Sequence, residues 1–184
     1  MIRAALDAAR AAGSLALLRR VFPGEPRVNG YVLAVSERLA LVHQFHDFLD
    51  DGWTVLRIAD IEEVVTEEAR GFFARAFRER GLAPRLPPLE VPIATMAEAL
   101  RALRREEQPV IVECETAEGG DADRYDLGAV CDVTDLHVHL RPVDGAGHWV
   151  PVEAIALGRI TRLHVATPYL TTFLRYADPP PEMS

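Results

Sequence analysis

GYVLAVSE, at residues 30–37, is answered by GAVCDVTD at residues 128–135. In each stretch a glycine opens an alternating apolar run that stops at a hydroxyl residue followed by an acid. That pattern reads as a strand entering a tight turn. The match extends outward on both sides. Upstream, AALDAARAAGSLALLRR (4–20) and EALRALRREEQPVIVEC (98–114) each read as a helix followed by a short apolar strand. Downstream, LALVHQF (39–45) matches LHVHLRP (136–142), and WTVLRI (53–58) matches WVPVEA (149–154). A duplicated small barrel explains this shared order better than one large sheet.

The individual segments follow suit. Ile2, Ala5, Leu6 and Ala9 recur near the helical period, and Gly13 and Ser14 end the run. Residues 14–22 would suit a helix alone, but their alignment with the β-branched run 109–115 predicts a strand. Tyr31, Leu33 and Val35 alternate with Val32 and Ala34. Leu39, Leu41, His43 and Phe45 share one face of the next strand, and Trp53, Val55 and Arg57 one face of a third. Asp47, Asp50, Asp51 and Gly52 form an acidic hairpin tip, and residues 61–65 a fifth strand. Residues 67–80 read as a helix with Phe72, Phe73, Ala76 and Phe77 on one side, ended by Gly81. Pro84, Pro87, Pro88 and Pro92 exclude helix or central strand from residues 82–92. The chain therefore divides into a first copy (1–81), a Pro-rich linker (82–94) and a second copy (95–184). In the second copy Thr95 and Glu98 make a capping box for a helix over 96–105. Strands follow at 110–114, 125–133, 136–143, 149–155 and 160–166, with a hairpin at Asp144-Gly145. Pro168 opens a terminal helix through Phe173 to Tyr176. The expected fold class is mainly β with added helices (α+β): two tandem five-stranded antiparallel barrels.

A leading helix followed by five strands resembles the Sm-like and SH3-like small barrels. The stretch from GYVLAVSE to LRIADI, with its glycine-led strand, HDF turn and DI pair, is similar to an uncharacterised bacterial family of tandem barrels of this kind. The Sm-like resemblance implies RNA binding through an Asp- and Asn-containing turn between two strands and an Arg-Gly pair in a later turn. Here Ser36-Glu37 and Thr134-Asp135 stand in the first turn, and residues 57–60 and Gly158-Arg159 in the later one. Neither copy matches that pattern. The aromatic residues available for stacking on bases are Tyr31, Trp53, Tyr125 and Trp149.

The 184 residues carry a formal net charge of -8, which argues against a large nonspecific nucleic-acid surface. The chain contains no lysine, so Schiff-base and P-loop lysine chemistry are excluded. His137 and His139 share a strand face, and His43, His46 and Asp47 lie at the corresponding strand and turn. These five are the candidate metal ligands, with His148 and His164 as further imidazoles. No spacing fixes a third or fourth ligand, so no metal or other cofactor is expected. Ser14 and Ser36 lack a nucleophile elbow, and Gly119-Gly120 lies in an acidic loop that repels phosphate. Cys114 and Cys131 lie in apolar runs and read as reduced, buried thiols. No secretory signal is read in residues 1–21, and no stretch reaches the length of a membrane span. The expectation is a cytoplasmic, noncatalytic binding or scaffold module acting through a protein partner or self-association, without nucleic acid or membrane. The alternatives are a metal-dependent hydrolase using the histidines and an Sm-like RNA-binding protein. No catalytic residue is assigned.

Overall fold

The computed structural model describes residues 1–23, 27–66, 71–119 and 123–181. Helix α1 (Ile2–Ala12) precedes strands β1 (Leu15–Arg20), β2 (Arg27–Val35), β3 (Leu39–His46), β4 (Leu49–Arg57) and β5 (Ile61–Val65). A 3-10 turn at Ile58–Asp60 separates the last two. Helix α2 (Gly71–Glu79) leads into residues 82–94, which carry no helix or strand. Helix α3 (Met96–Arg105) then precedes β6 (Val110–Cys114), β7 (Arg124–Val133), β8 (His137–Pro142), β9 (Glu153–Ala156) and β10 (Arg162–Val165). A second 3-10 turn, Leu157–Arg159, again stands before the last strand, and α4 (Pro168–Tyr176) follows.

The strands form one ten-stranded antiparallel sheet in the order β5-β1-β2-β3-β4-β10-β6-β7-β8-β9. This corrects the expectation of two separate barrels, because neither half closes on itself. The order itself gives the reason. In each half the fifth strand pairs with the first, β5 on β1 and β10 on β6, which leaves a fourth strand as an open edge. Unpaired edge groups demand partners. The open edge of the first half, β4, finds them on β10 of the second. The strand order is the same run written twice and joined at that edge.

The repeat holds residue by residue. Gly30 stands opposite Gln44 as Gly128 stands opposite Pro142. A β-bulge interrupts β2 between Val32 and Ala34, and another interrupts β7 between Val130 and Asp132. Ser36 Oγ accepts from the amides of Arg38 and Leu39, as Thr134 Oγ1 accepts from those of Leu136 and His137. In the first half Arg19 and Glu63 are cross-strand partners in an ion pair of 3.1 Å. At the matching place in the second, Glu113 faces Arg162 at 3.3 Å, with the charges exchanged.

The helix ends match too. The Ser14 amide reaches back to Ala9 O as the Gln108 amide reaches Leu103 O. Gly13 turns the first corner with φ +58°, in the left-handed region that suits glycine. Glu107 occupies the same place in the second copy with φ 51°. A side chain there is strained, so Glu107→Gly is expected to stabilise the protein by about 0.5–1 kcal/mol. Urea unfolding of the variant checks this; an unchanged or lowered midpoint contradicts it.

Two expected matches fail. The Ser36 amide donates to Leu39 O as the Thr134 amide donates to His137 O, so the counterpart of Leu39 is His137, not Leu136. Register pairs Leu39 with Arg57 and His137 with Ala156, so the counterpart of Trp53 is Val152, not Trp149. Pro151 has no amide to give a ladder, and the strand expected from 149 starts only at Glu153. Trp149 makes a single bridge to Val143, and its indole donates to Asp178 O at 2.9 Å. In the helix expected over 67–80, residues 67–70 lie outside the described ones. Phe77 is buried and Phe73 packs beside it, but Phe72 is exposed. Cys114 is a buried free thiol, while Cys131, expected to be buried, is half-buried because it is the bulged residue of β7.

Alternation along the strands divides the core. Leu18, Val32, Val42 and Leu56 point to one side and pack on Leu6 and Ala9 of α1. Leu41, Val55 and Leu163 point to the other and join Val130 and Leu140 under Leu100 and Leu103 of α3. Each fully buried leucine contributes about 2 kcal/mol. Outer-face residues of the first half are thus core residues of the second.

Candidate functional site

The shared edge brings four turns together. The β2–β3 turn (Glu37, Arg38), the 3-10 turn after β4 (Ile58, Ala59), the β7–β8 turn (Asp135) and the 3-10 turn after β9 (Leu157, Gly158) surround the N-terminus of α3 (Thr95–Glu98). Between them lies a cleft of about 940 Å³. Its apolar lining is Leu39, Ile58, Met96, Ala97, Leu157 and Ile160, from both halves. Glu37, Arg38, Arg57, Glu98, Arg101 and Asp135 supply charges of both signs. Two arginines fix the walls. Arg57 Nε donates to Asp60 Oδ2 at 2.5 Å, and its Nη1 reaches across to Gly158 O at 2.9 Å. Arg101 Nη2 donates to Asp135 Oδ1 at 3.1 Å, tying α3 to the β7–β8 turn. The Thr95 hydroxyl, the one in the lining among the described residues, accepts from the Glu98 amide at 3.2 Å as the helix cap. Among the described residues the lining holds neither histidine nor cysteine.

A second polar assembly fastens the two halves. Arg20, at the end of β1, is a bidentate partner of Glu115, just past β6; the Nη1–Oε1 bond is 2.8 Å. Four strands separate β1 from β6 in the sheet, so the contact shows that the sheet curls back on itself. Thr161 Oγ1 lies 2.7 Å from Glu115 Oε2, and Arg162 adds a contact of 3.7 Å to Oε1. Glu113 bonds His164 Nε2 at 2.7 Å. Burial alone pushes the Glu113 carboxyl up. The His164 hydrogen bond and the charges of Arg162, His164 and Arg20 outweigh it and leave the group below its usual value. The arginine side chain of Arg20 is 0% exposed and its partner's 15%, so little solvent reaches the pair.

The third assembly clamps the linker. His43 is buried, lies against Trp53 with ring centroids 5.3 Å apart, and meets the segment after α2. Its Nδ1 accepts from the Arg85 amide at 3.1 Å, so Nε2 carries the proton that faces Asp50 Oδ2, also at 3.1 Å. The Arg85 guanidinium also pairs with Asp50, and the Trp53 indole donates to Arg85 O at 2.9 Å. Burial, aided by the Arg85 charge, lowers the His43 pKa to about 4. A second proton would displace the Arg85 amide. The unfolded chain takes that proton near pH 6.5 and the folded one does not. Stability is therefore expected to be full above about pH 6.5 and to fall toward pH 4, by on the order of 2–3 kcal/mol. Urea titrations at several pH values test this. The slope over that window should shrink in His43→Gln, and an equal slope in both proteins rules out the assignment.

The other candidate ligands are scattered by comparison. His46 ends β3 exposed, and Asp47 occupies the turn with φ 52°. His137 and His139 are half-buried on β8, opposite Ala156 and Ala154 of β9. His148 pairs with Asp178 at 2.8 Å, which raises its pKa. Among the described residues no three His, Cys, Asp or Glu side chains converge as a metal site. Of the aromatic candidates, Trp53 is buried, Tyr31 donates to Leu82 O at 2.8 Å, and Tyr125 is exposed. No described helix is long and apolar enough to cross a membrane. Sequence reading missed Ile58, Met96 and Leu157 as site residues. Their one legible sign was apolar character beside a turn.

No family model matches this chain, and neither the curated proteins nor the solved structures contain a match to it.

Proposed function

We propose that the chain is a pair of repeats of Sm-like or SH3-like strand order, residues 1–81 and 95–184 joined by 82–94, merged along one edge into a single open sheet that serves as a noncatalytic binding module. Its ligand is an extended protein segment held in the cleft between the four turns. The observation that carries this reading is the cleft itself. About 940 Å³ of space has an apolar lining drawn from both halves and a rim of mixed charge. That volume and lining fall in the range of sites that bury an apolar anchor and orient it with a few polar groups. Arg38, Glu37 and Glu98 at the rim suit a segment with charges of both signs flanking the anchor.

Peptide-library selection against the whole protein tests the reading. Selected peptides should carry one large apolar residue, and Ala97→Trp, which fills the cleft from its wall, should weaken them at least tenfold. Tenfold corresponds to about 1.4 kcal/mol. Selected peptides that bind Ala97→Trp and wild type equally would overturn it.

A further inference from the structure

On the face of the seam away from α3, the sheet buries polar groups that its own contacts do not complete. Alternation sets Gln44 of β3, Thr54 of β4, His164 of β10 and Glu113 of β6 on that face, because Leu41, Val55, Leu163 and Val112, of opposite parity, pack under α3. Gln44 is 8% exposed and Thr54 0%, yet Gln44 Oε1 and Thr54 Oγ1 have no hydrogen-bond partner among the described residues. A buried acceptor left unpaired is costly, so each marks a bond that the chain alone does not make. Charge is unbalanced at the same place. Glu113 is matched by Arg162 and His164, and Glu115 by Arg20. Asp51 is half-buried, accepts from Gln44 Nε2 at 2.7 Å, and has no ion pair among the described residues. The exposed Tyr125, opposite Glu113 in register, meets Tyr169 of α4 edge to face with ring centroids 6.4 Å apart. Burial, then Glu113, Tyr169 and Asp51, push the Tyr125 hydroxyl up to about 12 against the opposing charge of Arg162. Asp51 and Glu113 therefore both act on one solvent-facing ring, and the balance of charge there is negative.

We propose that this cluster binds a primary ammonium group, with the Asp51 carboxylate, Gln44 Oε1 and Thr54 Oγ1 as its three acceptors. An ammonium carries one positive charge and three N–H donors on a single atom, which matches one carboxylate without a counter-ion and two unpaired oxygens. Tyr125 and Tyr169 suit the approach of a cation, since attraction to a ring face adds to that of the carboxylate. The chain contains no lysine, so no side chain of its own can fill the place. A lysine side chain of another protein and a free alkylamine share this chemistry.

Nuclear magnetic resonance of the full chain, titrated with n-butylamine at about pH 8 and constant ionic strength, tests this. Butylamine is protonated there, as a lysine would be, and saturable shifts should centre on the amides of Gln44, Asp51 and Thr54. Asp51→Asn keeps the shape of the side chain, removes its charge and should weaken binding at least about tenfold. Gln44→Leu lacks the amide oxygen and should weaken it at least about threefold. Tetramethylammonium has the charge without an N–H and should bind at least about tenfold more weakly than butylamine. Spectra that match wild type away from these residues show that both variants fold. The peptide acetyl-Gly-Lys-Gly-amide separates the two sources. Tighter binding than butylamine assigns the site to a lysine side chain and weaker binding to a free amine, and either supports it. No saturable shift with either probe overturns the proposal, as does binding that Asp51→Asn leaves unchanged or that tetramethylammonium equals. The cleft lies on the α3 side of the sheet. Ala97→Trp should therefore leave butylamine binding unchanged, and the failure of either reading leaves the other standing.

Discussion

Gly128→Ala is expected to destabilise the protein by about 3 kcal/mol or more, and Gly30→Ala by a similar amount. Neither glycine is needed for an unusual φ; each is needed for space. A Cβ on Gly128 would lie 2.1 Å from Arg141 O and 2.8 Å from Pro142 Cα. One on Gly30 would lie 2.2 Å from His43 O and 2.7 Å from Val42 Cγ1. The obstacle is the backbone of the adjacent strand, which cannot rotate away as a side-chain tip can. Relief would require β7 to separate from β8, or β2 from β3, at the place where the strands crowd together. The melting temperature should fall by roughly 10 °C for a chain of this size. Gly145→Ala and Gly158→Ala are the controls, since a Cβ on either meets nothing within 4 Å. A Gly128→Ala protein that melts with wild type would refute the close approach and, with it, the matched bend of the two halves.

Arg20→Met is expected to cost about 3–5 kcal/mol, because it strands the Glu115 carboxylate in a nearly dry site. Glu115→Met strands the Arg20 guanidinium and should cost a similar amount. The double variant removes both charges, and its loss should be smaller than the sum of the singles by at least about 1 kcal/mol. Arg20→Lys should also destabilise, since an ammonium cannot reproduce the two parallel bonds to Glu115. Chemical unfolding of the four variants completes the cycle. Additive losses would mean that the two side chains do not communicate. A loss under about 1 kcal/mol for Arg20→Met would mean that the pair is open to water. The same site gives an acid-side effect. The lowered Glu113 value means that its contribution is present above the ordinary carboxylate range and is lost as pH falls through the folded value. It acts in the same direction as His43, so both weaken the fold in acid.

Most of the local structure was legible in the residues. Helix α3 announced itself by Thr95 and Glu98, and the cap forms as the spacing predicts. Strand β1 would have been read as helix from its Leu and Ala content, and the likeness to the β6 region corrected that reading. The glycine-led strands and hydroxyl turns held because their requirements are local: a bulge, an ST turn, a close approach. The Trp53/Trp149 match fails because identity of residue type does not fix register. Pro151 and the longer β8–β9 connection shift the strand start, and the pairing of Val152 with the Trp53 position follows from hydrogen bonding alone.

The candidate site was hardly legible. His43 stood on an alternating strand like any core-facing residue, and its partners Asp50 and Arg85 are seven and 42 positions away. His43, His137 and His139 alike read as candidate ligands because imidazoles bind metals, yet strand geometry sets the half-buried His137 and His139 on β8, apart from His43's clamp. The cleft is built from turns whose residues are unremarkable singly.

The sequence by itself determined the repeat, the order of elements in each copy, and the places where glycine, hydroxyl and proline are required, because each depends on contacts within a few residues or on one strand's alternation. Only the tertiary structure decided that the copies share a single sheet, that the outer face of the first half is the core of the second, and that four turns enclose a cleft. Those outcomes rest on which edge meets which. Unpaired backbone groups on a strand edge demand a partner without specifying it in any side-chain pattern, and the choice of β10 for β4 is settled by packing over the whole chain.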